Sequence, residues 1–148
     1  MLYTDHHATQ RLKAPDPSLY PNGLDKILVM DDDDSLRRLL RIALTYAGYD
    51  VVCVREGGEA IEAYEAAKTA GRPFNAVILD LHIKGGMGGQ ATIEHLRAYD
   101  PEVKAILCSA ARHDPIMEHY DAYGFAARLA KPFKRSHLQN LLQRIIYN

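Results

Sequence analysis

Residues 27–34 read Ile27-Leu28-Val29-Met30-Asp31-Asp32-Asp33-Asp34. Four consecutive apolar residues, with no polar alternation, have the pattern of a strand buried on both faces. The run ends on four carboxylates in a row. At a separation of about 4 Å and an effective dielectric of about 20, each like-charge contact costs about 4 kcal/mol. A fold keeps such a cluster when water, a helix N-terminus, a basic side chain or a cation answers it. Which of these applies decides both the architecture around the cluster and its chemistry.

Outward from this stretch the chain alternates. Leu36, Leu39, Leu40, Ala43, Leu44 and Ala47 recur at helical spacing up to Gly48, a C-terminal cap. Val51–Val54 is a second strand, and an alanine-rich helix from Glu59 to Ala70 is closed by Gly71 and Pro73. A third strand, Ala76–Leu79, ends on Asp80. A glycine-rich loop over residues 84–89 leads to a helix over Gln90–Tyr99, stopped by Asp100-Pro101. Val103–Cys108 is the fourth strand, Pro115–Tyr123 a helix stopped by Gly124, and Phe125–Ala130 the fifth strand. Ser136 is placed to cap a last helix whose apolar face is Leu138, Leu141, Leu142, Ile145 and Ile146. Short apolar strands, each followed by a crossover helix, call for a doubly wound α/β fold: a five-stranded parallel sheet with helices on both faces. Residues 1–24 are polar, broken by Pro15, Pro17, Pro21 and Gly23, and read as a flexible extension or linker. Residues 25–148 read as the domain.

Bulk properties exclude several classes. A chain of 148 residues is the size of one domain with a real core. A formal net charge of −1 supplies no basic field for nucleic acid or an acidic membrane. No apolar run approaches the roughly 18 residues of a membrane span, and the N-terminus lacks the apolar segment of a secretory signal. Cys53 and Cys108 lie in separate apolar runs and read as small hydrophobes in a reducing compartment, so a cytoplasmic location is expected.

In an open α/β sheet, ligands bind beyond the carboxyl ends of the strands. The sharpest polar signals fall there: Asp31 and Asp32 after the first strand, Asp80 after the third, Ser109 after the fourth, and Lys131-Pro132 after the fifth. If the first and third strands are neighbours, Asp31, Asp32 and Asp80 converge and demand a cation. Oxygen-only ligands suit Mg²⁺, whereas zinc would want closely spaced Cys or His. Lys131 offers a point charge to an anion and Ser109 a hydroxyl donor. A metal, a carboxylate nucleophile, a lysine and a hydroxyl together describe phosphoryl transfer onto Asp80.

With these residues in place, the chain resembles the receiver domains of two-component response regulators. The matching segments are ILVMDDDDSLRR (residues 27–38), VILDLHIKGGMGG (residues 77–89), Ser109-Ala110 and LAKPF (residues 129–133). The likeness runs from about Lys26 to the C-terminus, and is greatest to the C-terminal receiver of hybrid sensor histidine kinases. It implies a flavodoxin-like sheet in the order 2-1-3-4-5. It implies that Asp80 accepts a phosphoryl group from the phosphohistidine of a sensor histidine kinase or histidine phosphotransfer protein. It also implies that Asp31, Asp32, Asp80 and the backbone carbonyl of His82 hold Mg²⁺, that Ser109 and Lys131 bind the phosphoryl group, and that the Lys131-Pro132 bond is cis. Self-catalysed transfer and hydrolysis, rather than conventional turnover, follow. Output then goes through protein contacts at the fourth helix, fifth strand and last helix, including a possible homodimer through that face, without DNA or membrane binding.

The chain departs from the family at three positions. Lys84 stands where a proline usually follows the phosphorylation site. Asp34 stands where a proline often begins the first helix. Arg128 stands three before the lysine, where many receivers carry a Tyr or Phe, so the resemblance does not carry over the aromatic coupling.

Three other classes compete. A non-phosphorylated interaction module would keep the fold but has no need of the intact constellation. A haloacid-dehalogenase-type phosphatase would want an aspartate where His82 stands, and a flavodoxin-like FMN carrier would want a phosphate loop where the carboxylates stand. The glycines over residues 85–89 lack the order of a P-loop and are expected to allow positive φ beside the site. The His82 side chain is placed to overhang an acyl phosphate and modulate its hydrolysis, or to be a solvent-facing rim residue. His6, His7, His95, His113, His119 and His137 show no ligand spacing.

Overall fold

A computed structural model describes residues 23–148. The expected extension over 1–24, with His6-His7, lies outside the described residues except for its last two. The described chain runs β1 (Lys26–Met30), α1 (Asp34–Tyr46), β2 (Asp50–Val54), α2 (Gly57–Thr69), β3 (Ala76–Asp80), α3 (Gly89–Tyr99), β4 (Ala105–Ser109), α4 (Pro115–Glu118), a 3₁₀ turn (Tyr120–Tyr123), β5 (Ala127–Ala130) and α5 (Arg135–Tyr147).

The five strands form one sheet in the order β2-β1-β3-β4-β5, and every pairing is parallel. Side-chain alternation splits the core into two layers. Ile27 and Val29 join Ile78, Ile106 and Leu129 on the face covered by α1 and α5, through Leu40, Leu44, Leu138 and Leu142. Leu28 and Met30 join Val77, Leu79 and Leu107 on the other face, under Ala60 and Tyr64 of α2, Ile93 and Leu96 of α3, and Met117 of α4. Leu44 and Leu142 are wholly buried, and truncating either to alanine should cost about 2–5 kcal/mol. No described helix is long and apolar enough to cross a membrane.

Several boundaries depart from the sequence pattern. Ser136 does not cap α5: the N-cap is Lys134, without a side-chain cap bond, and Ser136 is an exposed residue of the first turn. The expected helix over Pro115–Tyr123 breaks at His119 into one α turn and one 3₁₀ turn. Met117, Tyr120 and Tyr123 recur every three residues, the period of a 3₁₀ turn, and all three pack on the same core layer. Strand β4 starts at Ala105 because Val103 N–H turns back to the Asp100 carbonyl. Strand β5 starts at Ala127, with Phe125 inserted into the core just before it. Helix α2 begins earlier than its alanine pattern, at Gly57, because Glu56 caps it by accepting from Gly58 and Glu59 N–H.

Of the glycines over 85–89, only Gly85 has positive φ, at +74°. The others are required for space. A Cβ on Gly88 would stand 2.4 Å from the Leu81 carbonyl oxygen, and one on Gly89 would stand 2.9 Å from that of Asp80. The loop thus folds flat against the end of β3 and presents Asp80 beside the N-terminus of α3.

Candidate functional site

The β2-β1-β3 order places the ends of β1 and β3 side by side, with Met30 paired to Leu79. Asp31 leaves β1 with its N–H bonded to the Val54 carbonyl, and the residue is 3% exposed. Asp33 is the N-cap of α1 and accepts from Ser35 and Leu36 N–H, while Asp34 opens the helix and pairs with Arg37. The aspartate run is therefore divided. Asp33 and Asp34 serve the helix end, where negative charge is favoured, and Asp31 and Asp32 turn toward β3.

Asp31, Asp32 and Asp80 each offer a carboxylate oxygen, and the three atoms lie within 4.8 Å of one another. Opposite ligands of an Mg²⁺ octahedron are about 4.2 Å apart, twice a bond of about 2.1 Å. The spread exceeds that span by a few tenths of an ångström at most, and a hard-oxygen donor set with two of its members buried suits the chemistry of such an ion. Asp32 is oriented by accepting from Lys84 N–H at 3.1 Å. The residue that replaces the usual proline thus supplies a backbone donor that proline lacks.

Lys131 answers the buried charge. Its Nζ donates to Asp31 Oδ2 at 2.8 Å and lies 3.5 Å from Asp80 Oδ2. Its N–H bonds the Ser109 carbonyl, and the following peptide bond to Pro132 is cis. Burial alone would lower the lysine pKa, but the Asp31 hydrogen bond and the charges of Asp31 and Asp80 hold it above its ordinary value. Asp80 is 6% exposed. Burial, and then the Asp31 charge, push its carboxyl up to about 6 against the opposing pull of Lys131.

Ser109 is buried at the end of β4, and its Oγ accepts from Ala111 N–H at 3.0 Å. Cys108, next to Asp80 in the register, is a buried thiol pushed up to about 12 by burial and is inert packing. The His82 Nε2 lies 3.4 Å from Asp114 Oδ2, and Asp114 is the N-cap of α4. The structure thus brings Asp31, Asp32, Asp80 and Lys131 into one cluster, with Ser109 at the neighbouring strand end.

Two contributors were not singled out from the sequence. Arg37 donates to the Asp31 carbonyl at 2.7 Å while pairing with Asp34; the i,i+3 spacing from Asp34 is a readable signal. Asp114 precedes Pro115 in the pattern of a capped helix start, but its contact with His82 comes from distant chain and has no local signature.

A pure parallel sheet in this order, with carboxylates and a lysine gathered at its carboxyl edge, defines a flavodoxin-like doubly wound α/β domain. The sequence pattern of the response regulator receiver domain matches residues 27–143, and the chain belongs to that family. It is 28% identical over 121 residues to the chemotaxis protein CheY of Thermotoga maritima, covering 81% of this chain and 96% of that one. It is 29% identical over 122 residues to the response regulator receiver protein CpdR of Brucella abortus, covering 82% of this chain and 94% of that one. Among solved structures it is similar to the receiver domain of the sensor histidine kinase PA1611 from Pseudomonas aeruginosa PAO1, which holds a magnesium ion coordinated in its active-site cleft. That likeness has a TM-score of 0.74 at 27% identity and covers 84% of this chain and 98% of that one.

Proposed function

We propose that residues 25–148 act as the phosphoacceptor receiver of a two-component phosphorelay, with Asp80 as the acceptor. The observation that carries this reading is the position of Lys131 Nζ, bonded to Asp31 and 3.5 Å from Asp80. A lysine so placed can move its charge from a carboxylate to an arriving phosphoryl oxygen without leaving the site. In the step, an Asp80 carboxylate oxygen attacks the phosphorus of a phosphohistidine on a sensor histidine kinase or phosphotransfer protein. The P–N bond breaks, the imidazole leaves with its electron pair, and an acyl phosphate remains on Asp80. With an acceptor pKa of about 6, the attacking carboxylate is mostly ionised at neutral pH.

Asp31, Asp32, Asp80 and the His82 carbonyl would hold Mg²⁺, which supplies neutralisation of the charge gathered on the phosphoryl oxygens. Lys131 pairs with one of those oxygens. Ser109 gives up its bond from Ala111 N–H and donates its hydroxyl to another. That exchange favours one arrangement of the β4–α4 loop over another and passes the event to protein partners. Reversal is hydrolysis of the acyl phosphate by water.

The test is incubation with Mg²⁺ and acetyl phosphate followed by intact mass measurement. The parent chain gains one phosphoryl group, and Asp80→Asn gains none. No gain with acetyl phosphate or with a phosphorylated histidine phosphotransfer domain would leave the chain as an interaction module that keeps only the fold.

A further inference from the structure

The loop after β3 carries Lys84, whose N–H bonds Asp32 Oδ2 at 3.1 Å, and it is held at a second point. Met87 accepts from Gly57 N–H at 2.8 Å, and Gly57 is the first residue of α2. The loop is thus strung between one carboxylate of the acidic cluster and the start of a helix that supplies none of those carboxylates.

The approach between loop and helix is close. A Cβ on Gly86 would stand 2.9 Å from Glu56 Cβ, and one on Gly57 would stand 2.2 Å from Thr92 Oγ1 and 2.7 Å from Met87 Sδ. Thr92 is wholly buried, and its hydroxyl donates to the Gly88 carbonyl at 2.7 Å, which closes the far end of the loop. The place of the loop is therefore set by where α2 begins. Glu56 fixes that point: its two carboxylate oxygens accept from Gly58 and Glu59 N–H, both at 2.8 Å. These two bonds hold the Glu56 carboxyl below its ordinary value against burial, and Met87 N–H adds a smaller pull in the same direction. The common caps are the shorter Ser, Thr, Asp and Asn. The longer glutamate here lays its stem along Gly86.

We propose that Glu56 is a positioning residue for the metal ligand Asp32. It fixes the turn at Gly57, the turn fixes Met87, and the loop then presents Lys84 N–H to the Asp32 carboxylate. The inference rests on the metal-site reading above and adds what holds one of its ligands. The relay needs the N–H of residue 84, which the proline usual at this position would lack.

The test titrates Mg²⁺ against the full unphosphorylated chain by isothermal calorimetry and follows hydrogen exchange of the Lys84 amide in the metal-free protein by NMR. Glu56→Ala should weaken Mg²⁺ binding by about fivefold, the equivalent of one cap bond, and speed Lys84 exchange by a similar factor. Glu56→Asp keeps a cap acceptor and should restore both to within about twofold of the parent. Glu59→Ala removes the same charge from the same turn but takes away only the bond from Arg55 N–H. It should change neither quantity by more than about twofold. In a Lys84→Pro background, Glu56→Ala should have no further effect on Mg²⁺ affinity, because the two changes break one relay. Weakening by the full factor in that background, or equal weakening by Glu59→Ala, would overturn the assignment. So would unchanged Lys84 exchange in Glu56→Ala. A parent chain that binds no Mg²⁺ would overturn the metal-site reading instead, and Lys84 exchange would still decide whether Glu56 holds the loop.

Discussion

His82 Nε2 lies 3.4 Å from Asp114 Oδ2, a polar contact that ties the loop after β3 to the N-cap of α4. The other Asp114 oxygen accepts from Ile116 N–H, so one carboxylate both starts the helix and receives the histidine. His82→Ala should therefore loosen the β4–α4 segment. An exposed pair contributes up to about 1 kcal/mol, so amide hydrogen exchange over residues 111–118 should speed up by no more than about fivefold. Unchanged exchange there would mean that the contact holds nothing.

Burial of the Asp80 carboxyl makes the metal-free protein sensitive to pH. The Asp80 carboxyl is raised from 3.8 to about 6, so between these values the folded state binds more protons than the unfolded one. Stability must then fall as pH rises through that window. A shift of about two units corresponds to a loss of about 3 kcal/mol. Urea denaturation of the metal-free chain at pH 4 to 7 should show this loss, and Asp80→Asn should flatten it and be the more stable protein at pH 7.

Magnesium should reverse the sign. A cation bound only by the folded state stabilises it by about 2.7 kcal/mol at a hundred times its dissociation constant. Adding Mg²⁺ at pH 7 should raise the melting temperature of the parent chain. Asp80→Asn, which keeps Asp31 and Asp32 but loses one of the three converging carboxylates, should show a much smaller rise. Equal shifts in the two proteins would place the ion elsewhere.

The loop glycines separate crowding from backbone conformation. Gly88→Ala drives a Cβ to 2.4 Å from the Leu81 carbonyl oxygen, where backbone must move. The cost should be about 1–3 kcal/mol, with displacement of the loop. Gly85→Ala meets nothing within 4 Å but sits at φ +74°, so about 1–2 kcal/mol is expected from the backbone alone. Chemical denaturation gives both losses. Only Gly88→Ala should also slow phosphorylation by acetyl phosphate, because it displaces the loop against β3.

The strands were readable because each is a run of apolar residues with a crossover helix behind it, while their order came with the resemblance to receiver domains; in a parallel sheet, strand-end residues such as Asp31, Asp80 and Lys131 then fall at one edge. What escaped the sequence is tertiary in origin. The break at His119 depends on three side chains packing at a spacing of three, where a helical period fitted as well. Ser136 has the right chemistry for a cap, but the chain enters α5 two residues earlier at Lys134. The glycines after Asp80 suggested backbone freedom, yet three of the four need the missing Cβ, a property of the Glu56, Leu81 and Asp80 atoms opposite them. The His82–Asp114 contact joins residues 32 apart in sequence, and periodicity does not report it.

A polar bridge far from the site should carry acid sensitivity of the opposite sign. Tyr64 donates its hydroxyl to Asp100 Oδ2 at 2.8 Å, and Lys68 lies 3.3 Å from the same oxygen, joining α2 to the end of α3. Burial alone would raise the Asp100 carboxyl, but the bonds from Tyr64, Glu102 N–H and Lys68 bring it below its ordinary value. A depressed folded-state pKa means that the bridge stabilises fully above the unfolded value of 3.8 and that its contribution is lost as pH falls below it. Tyr64→Phe removes one of the three donors and leaves the ring packing on Phe74 intact. A hydrogen bond to a charged acceptor contributes about 1.5–3 kcal/mol. The variant should therefore be less stable by roughly that amount at pH 6, with the deficit shrinking as pH falls below 3.8 toward the folded-state value of Asp100, in paired urea titrations. A deficit that does not shrink with falling pH would mean that Tyr64 acts through packing and not through Asp100.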